Sequence, residues 1–177
     1  MKRYYAPRMV RAEEHHMLDE VVALALLGCG TLLFLALISY VPADVPGWFP
    51  LSSGGGTTRR TLNFIGPLGA ILACSFYFFL GAAAYLIPAV MLGFGGAKLL
   101  TPSLPLTRRA VWAVIFVLTG ACLIQLLPWS LIDASRLNLA GEGGLLGKWI
   151  GELFLAKALN FLGAAILLTC LYVGSLI

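Results

Sequence analysis

The sequence predicts an all-α integral membrane protein of four transmembrane helices, with a long kinked second helix and a short amphipathic outer-face helix before the fourth. Three observations carry this. Of 177 residues, 60% are hydrophobic and 11% charged, with a mean hydropathy of +0.92, whereas soluble domains run near ~25% charged and ~45–50% apolar. The twelve Lys+Arg and eight Asp+Glu cluster between charge-free intervals and are too few to cover a soluble surface. Four of those intervals hold the ~20 apolar residues that a helix needs to cross a hydrocarbon core of ~30 Å. They lack the alternation of barrel strands, so helices are the spanning elements, each satisfying its own backbone.

The chain divides into a juxtamembrane segment, 1–20, and a membrane domain, 21–177, with spans at about 21–40, 66–97, 110–132 and 158–177. The first span, from Val21, is too long for the ~7–15-residue core of a cleaved leader, and Glu13, Glu14, Asp19 and Glu20 interrupt the basic flank that a leader needs. Val41 to Asn63 reads as a loop: Pro42, Pro46 and Pro50 supply turns, and Ser52–Thr58 is a Ser/Gly/Thr tract. The second interval is overlong, since Gly66 to Ala97 at ~1.5 Å per residue is ~48 Å. One kinked helix is expected, broken at Pro88, which has no N–H for the Ala84 carbonyl, and weakened at Gly81. A helical hairpin is the alternative and needs ~40 residues plus a turn.

The third span lies between Arg109 and Asp133. Before the fourth, Leu145, Leu146, Trp149, Ile150, Leu153 and Phe154 recur at helical spacing around Lys148, Glu152 and Lys157, the pattern of an amphipathic helix on the outer face. Gly143, Gly147 and Gly151 form a smooth stripe on it. Three glycines cost a helix ~3 kcal/mol against alanine. Close packing within the bundle or between subunits offsets that cost on one reading; on the other the segment is loop-like and the glycines relieve turns. No internal repeat is evident.

Orientation follows from basic flanks. Lys2, Arg3, Arg8, Arg11, Lys98, Arg108 and Arg109 fall on one side, and Arg59, Arg60, Arg136, Lys148 and Lys157 on the other. The amino-terminal cluster acts on the first helix and directs both termini to the cytoplasm. Tyr40, Trp48 and Trp129 then mark the outer boundary and Trp112 the inner one. The net charge of +4 and pI near 9.0 thus report topology; the basic residues form no continuous nucleic-acid patch.

The sequence offers no catalytic, cofactor-binding or metal-binding set. Cys29, Cys74, Cys122 and Cys170 lie in apolar stretches without CxxC spacing or a neighbouring histidine and read as buried thiols. Asp19, Glu20 and Asp133 read as caps and boundary charges. His15 and His16 stand four residues before Asp19 and Glu20, but two histidines without a third fixed ligand read as a solvated helix. Ser52 and Ser53 have no histidine to activate them. Gly141–Trp149 misses a phosphate loop twice, with Glu142 at its first glycine and Trp149 at its Ser/Thr. The residues singled out are therefore structural: Pro88, Gly81, Gly143, Gly147 and Gly151.

Four motifs occur in order. The first span exits through Leu37-Ile38-Ser39-Tyr40-Val41-Pro42-Ala43-Asp44; Asn63-Phe64-Ile65-Gly66-Pro67-Leu68-Gly69 opens the second helix; Phe78-Phe79-Leu80-Gly81-Ala82-Ala83-Ala84-Tyr85-Leu86-Ile87-Pro88 follows; and Gly143-Gly144-Leu145-Leu146-Gly147 precedes the last span. In this order they resemble the four-helix amino-terminal membrane region of the FtsK/SpoIIIE family of septal DNA translocases, over nearly everything from Val21 onward. Val45 departs from the pattern by separating Asp44 from Pro46. The resemblance implies a non-enzymatic anchor in the bacterial cytoplasmic (inner) membrane, directed to the division septum, with the lipid bilayer, further copies of itself and division-machinery membrane proteins as partners. Family members continue into a RecA-like hexameric ATPase and a winged-helix domain that reads DNA. ATP and Mg belong to that motor, and its binding residues have no positions here. The apolar run ending at Ile177 is accordingly expected to be part of a longer chain, with no direct nucleic-acid binding by this segment.

Two other classes compete. A small four-helix transporter or channel subunit would use Pro88 and Gly93–Gly96 to break a helix, with only Ser75, Thr119, Gln125 and Thr169 to line a path. An intramembrane enzyme would need a converging acid, base or metal cluster, and none is present.

Overall fold

The structure is a computed structural model. It describes residues 6–52, 61–101, 106–127 and 141–176, with the side chains of 17–52, 61–101, 109–127 and 141–176. Outside them lie the Ser53–Thr58 tract, Arg59, Arg60, Trp129, Asp133, Arg136, the end of the expected third span, and the side chains of His15, His16, Arg108 and the amino-terminal basic cluster.

All regular structure among the described residues is helical: α1 (Ala6–Ile38), a short 3-10 turn (Pro42–Asp44), α2 (Gly66–Leu80), a second 3-10 turn (Gly81–Tyr85), α3 (Leu86–Leu100), α4 (Leu106–Leu126), α5 (Gly144–Leu146) running on as a π-helix (Gly147–Ala156), and α6 (Lys157–Gly174). Among the described residues, four helical stretches are long and apolar enough to cross a membrane, Met17–Ile38, Gly66–Leu100, Arg109–Leu126 and Gly144–Gly174. The chain is an all-α, multi-pass membrane protein.

The overlong second interval breaks at Gly81, seven residues before Pro88. Gly81 adopts φ 58°, ψ −133°, a conformation open to glycine. Pro88 is the third residue of α3, within the first helical turn, where an N–H has no intrahelical partner to lose. The two halves then run differently. The Asn63 amide, three residues before α2, and the Tyr77 hydroxyl, near its far end, reach the consecutive carbonyls of Ala36 and Leu37. Were α2 aligned with α1, those contacts would be separated by ~20 Å of α1; instead α2 crosses the end of α1 steeply. α3 does run antiparallel to α1. Tyr85 meets Phe34, Gly30 meets Met91 and Leu92, Gly95 meets Ala23 and Leu27, and Lys98 meets Asp19. The 3-10 turn and α3 together rise ~32 Å, one hydrocarbon core.

The second half repeats this plan. Gly143, Gly147 and Gly151 all contact α4 within Ala121–Gln125, so the α5–π segment crosses α4 without advancing along it. After Asn160, α6 returns beside α4, with Tyr172 stacked on Phe116 at 4.6 Å. The helix before the fourth span buries its glycines, the packed alternative of the two expected for the stripe, and exposes Trp149, Leu153 and Phe154. Small residues make the core, with Ala70, Ala73, Ala83, Ala84 and Ala121 fully buried where helices meet.

The structure contains a duplication that the sequence does not announce. The turns Asn63–Gly66 and Gly141–Gly144 are closed by equivalent bonds, Gly66 N–H to the Asn63 carbonyl (2.9 Å) and Gly144 N–H to that of Gly141 (3.0 Å). Ile65 (φ −94°, ψ 2°) matches Gly143 (φ −90°, ψ 8°), and Gly66 (φ 76°) matches Gly144 (φ 65°). Buried small residues follow at equal spacing, Gly69 with Gly147 and Ala73 with Gly151. Each crossing helix ends in a positive-φ break, at Gly81 and at Asn160 (φ 61°, ψ 165°). Each unit is thus an ascending helix, an opening turn, a crossing helix, a break and a descending helix.

Candidate functional site: the glycine junction between the units

The opening turn of the first unit is held by Ser39, just past α1, by Asp44 of the first 3-10 turn and by its own Asn63. One Asp44 carboxylate oxygen accepts the N–H groups of Leu62 (2.9 Å) and Asn63 (2.8 Å). The Asn63 amide, 4% exposed, donates to the Ala36 carbonyl (2.9 Å), while its oxygen accepts the Ile65 N–H (3.0 Å). Ser39 Oγ accepts the Phe64 N–H (3.0 Å) and donates to the Leu35 carbonyl (2.6 Å). Helix termini carry unpaired carbonyls and amides, and lipid offers them no partner. Ser39 and Asn63 take up carbonyls in the last turn of α1, and the three side chains together hold the amides of 62–65 just before α2, which fixes where α2 starts.

The turn of the second unit lodges in the break of the first. The Ala82 N–H donates to the Glu142 carbonyl (2.8 Å), and Gly81 and Gly144 face each other so closely that a β-carbon on either would overlap the opposing backbone. The Gly143 N–H donates to Gln125 Oε1 (3.0 Å), and Gln125 Nε2 donates to Glu152 (3.1 Å). Gly147 presents its α-carbon to the Ala121 carbonyl and Gly151 to Cys122. Backbone meets backbone across the whole junction, and this requires residues without side chains.

Two polar features lie elsewhere. Lys98, read from sequence as a flanking cation, is 5% exposed and pairs with Asp19 at 2.8 Å, joining α3 to α1. The Tyr77 hydroxyl donates to the Leu37 carbonyl (3.1 Å) and lies 2.7 Å from that of Tyr85; with its one proton committed, Tyr85 is the donor to it. A groove of about 350 Å³ between α3 and α4 is lined by Ile87, Val90, Met91, Val114, Val117 and Leu118, all apolar.

Among the five residues singled out from sequence, Gly81, Gly143, Gly147 and Gly151 converge on the junction, and Pro88 lies buried just past it in α3. Asn63, Asp44 and Ser39 carried the family resemblance but had no physical role assigned to them; their signal was the polar type of each residue beside a helix end. No group of three or more His, Cys, Asp or Glu able to hold a metal occurs among the described residues. The arrangement is suited to holding helices in fixed relation.

No curated protein and no solved structure matches the chain. The family described as the 4TM region of DNA translocase FtsK/SpoIIIE matches residues 15–177. With the motifs at Ser39–Asp44, Asn63–Gly69 and Gly143–Gly147 forming the two opening turns, this chain belongs to the family of the 4TM region of the DNA translocase FtsK/SpoIIIE.

Proposed function

We propose that this segment is the membrane anchor of a septal DNA translocase. It tethers a cytoplasmic, ATP-driven DNA motor at the division site of the bacterial inner membrane and supports cell division and chromosome segregation. The carrying observation is the family match over residues 15–177. In this reading both termini face the cytoplasm, and the partners are the bilayer, further copies of the segment and division-machinery membrane proteins. ATP and Mg act on the motor, while this segment neither turns over nucleotide nor holds DNA. The glycine junction supports an anchoring role, because close backbone contact between the two units stiffens the bundle against sliding. The transporter alternative has less support: the groove between α3 and α4 has only apolar walls, and an ion or polar solute needs ligands to replace its water.

The test is localisation. A fluorescent fusion of residues 1–177, expressed in a dividing bacterium, should concentrate at midcell during constriction. Uniform fluorescence around the membrane through division would remove the septal part of the reading.

A further inference from the structure

Within one copy, the contact between the units is heterologous. The first unit offers its break and its descending helix; the second unit offers its opening turn and its ascending helix, so that α5 meets α2 and α4 meets the Gly81–Tyr85 turn and α3. A two-fold arrangement would bring the remaining turn and break together as well, but α6 packs principally on α4 and the π-helix of its own unit. Among the described residues, each copy therefore keeps one unused surface of each kind. The turn Asn63–Gly66 and α1 are left over from the first unit, and the break at Asn160 and α6 from the second.

We propose that copies of this chain associate head to tail, with the Asn63–Gly66 turn and α1 of one copy seated on the Asn160 break and α6 of the next. Heterologous contacts of this kind propagate, and close into a ring when the rotation permits. The exposures fit. Phe64 is 69% exposed on the unused turn and Leu162 71% on the unused descending helix, with Leu159 and Phe161 exposed beside it. The template is the junction already inside the chain, where the Ala82 N–H reaches the Glu142 carbonyl at 2.8 Å. By the spacing from each positive-φ residue, Phe161 stands in the place of Ala82 and Phe64 in the place of Glu142. In the single copy, Asn160 Oδ1 accepts the Phe161 N–H at 2.8 Å. The side chain fills the position that a neighbour's Phe64 carbonyl takes, so the break carries a capped amide before assembly, as an apolar surrounding demands. Lipid could cover the same apolar side chains, but it has no carbonyl fitted to the break.

This deepens the self-association in the anchoring role proposed above, and the experiment separates the two. Two differently tagged copies, one Phe64→Cys and the other Leu162→Cys, both with the lipid-exposed Cys29 and Cys170 changed to alanine, are co-expressed and oxidised in native membranes. Disulfide dimers carrying both tags are expected, with little linkage between copies of one type. In a separate measurement of self-association in bicelles, Phe64→Ala should weaken the contact about tenfold, as loss of one anchoring aromatic does. Copies that associate without mixed-tag linkage, or that link Phe64→Cys to itself, overturn this interface and leave self-association standing. The parent chain remaining monomeric at every concentration overturns both.

Discussion

Gly81→Ala distinguishes a backbone break from a mere bend in a long helix, because the two give opposite signs. In a continuous helix the added methyl group raises helix propensity and stabilises by about 1 kcal/mol. Here Gly81 adopts φ 58°, ψ −133°, where an L-residue is strained by about 1–3 kcal/mol. The new β-carbon would also overlap the Glu142 carbonyl and displace it from the Ala82 N–H, a bond worth about 1 kcal/mol net. The sum is a loss of about 2–4 kcal/mol. Gly93 is the internal control: it sits in α3 at an ordinary helical φ, and a β-carbon there meets nothing within 4 Å, so Gly93→Ala should gain about 1 kcal/mol. Unfolding midpoints in bicelles titrated with dodecyl sulfate, read by tryptophan fluorescence, give both values in one assay. A Gly81→Ala chain as stable as the parent, or more stable, would refute the break and its contact with the second unit.

Gly147→Leu drives a side chain toward the Ala121 carbonyl, 2.5 Å from the position of its β-carbon. It should cost about 1–3 kcal/mol in the same titration; an unchanged midpoint and oligomer distribution would mean the glycine stripe carries no packing. Topology reporters after residue 12 and in the 100–107 loop should report cytoplasm, and one at Gly55 the exterior; an exterior signal from 100–107 would show that the second interval does not make a single crossing. Residues 1–177 in detergent should neither hydrolyse ATP nor bind duplex DNA at moderate salt, and saturable turnover by this segment would defeat the anchoring role.

The spans were legible because the hydrocarbon core imposes a length and forbids charge, both of which are local properties of sequence. The break was not, for a reason visible at Gly81. Pro88 is the louder local signal, yet the demand for a glycine at 81 comes from Glu142 and Gly144, some sixty residues away. The duplication was hidden similarly. Only a few small residues have to match, and asparagine replaces glycine at the second break. Lys98 was legible as a cation at a span end, but not its pairing with Asp19, which needed α1 and α3 to be seen in contact. Asn63 and Asp44 showed themselves as a motif, while their work in holding the opening turn against the end of α1 needed α1 and that turn to be seen in contact.

The crossing helices also have a consequence for the lipid around them. α2 and the α5–π segment lie across α1 and α4 near the opening turns. A helix of fifteen residues laid flat covers a strip ~22 Å by ~10 Å, so each crossing helix takes up area in the membrane plane that an upright helix does not. It displaces lipid at the depth where it crosses. The free energy of the bundle therefore depends on the lateral pressure at that depth, and its stability should shift with the spontaneous curvature of the surrounding lipids.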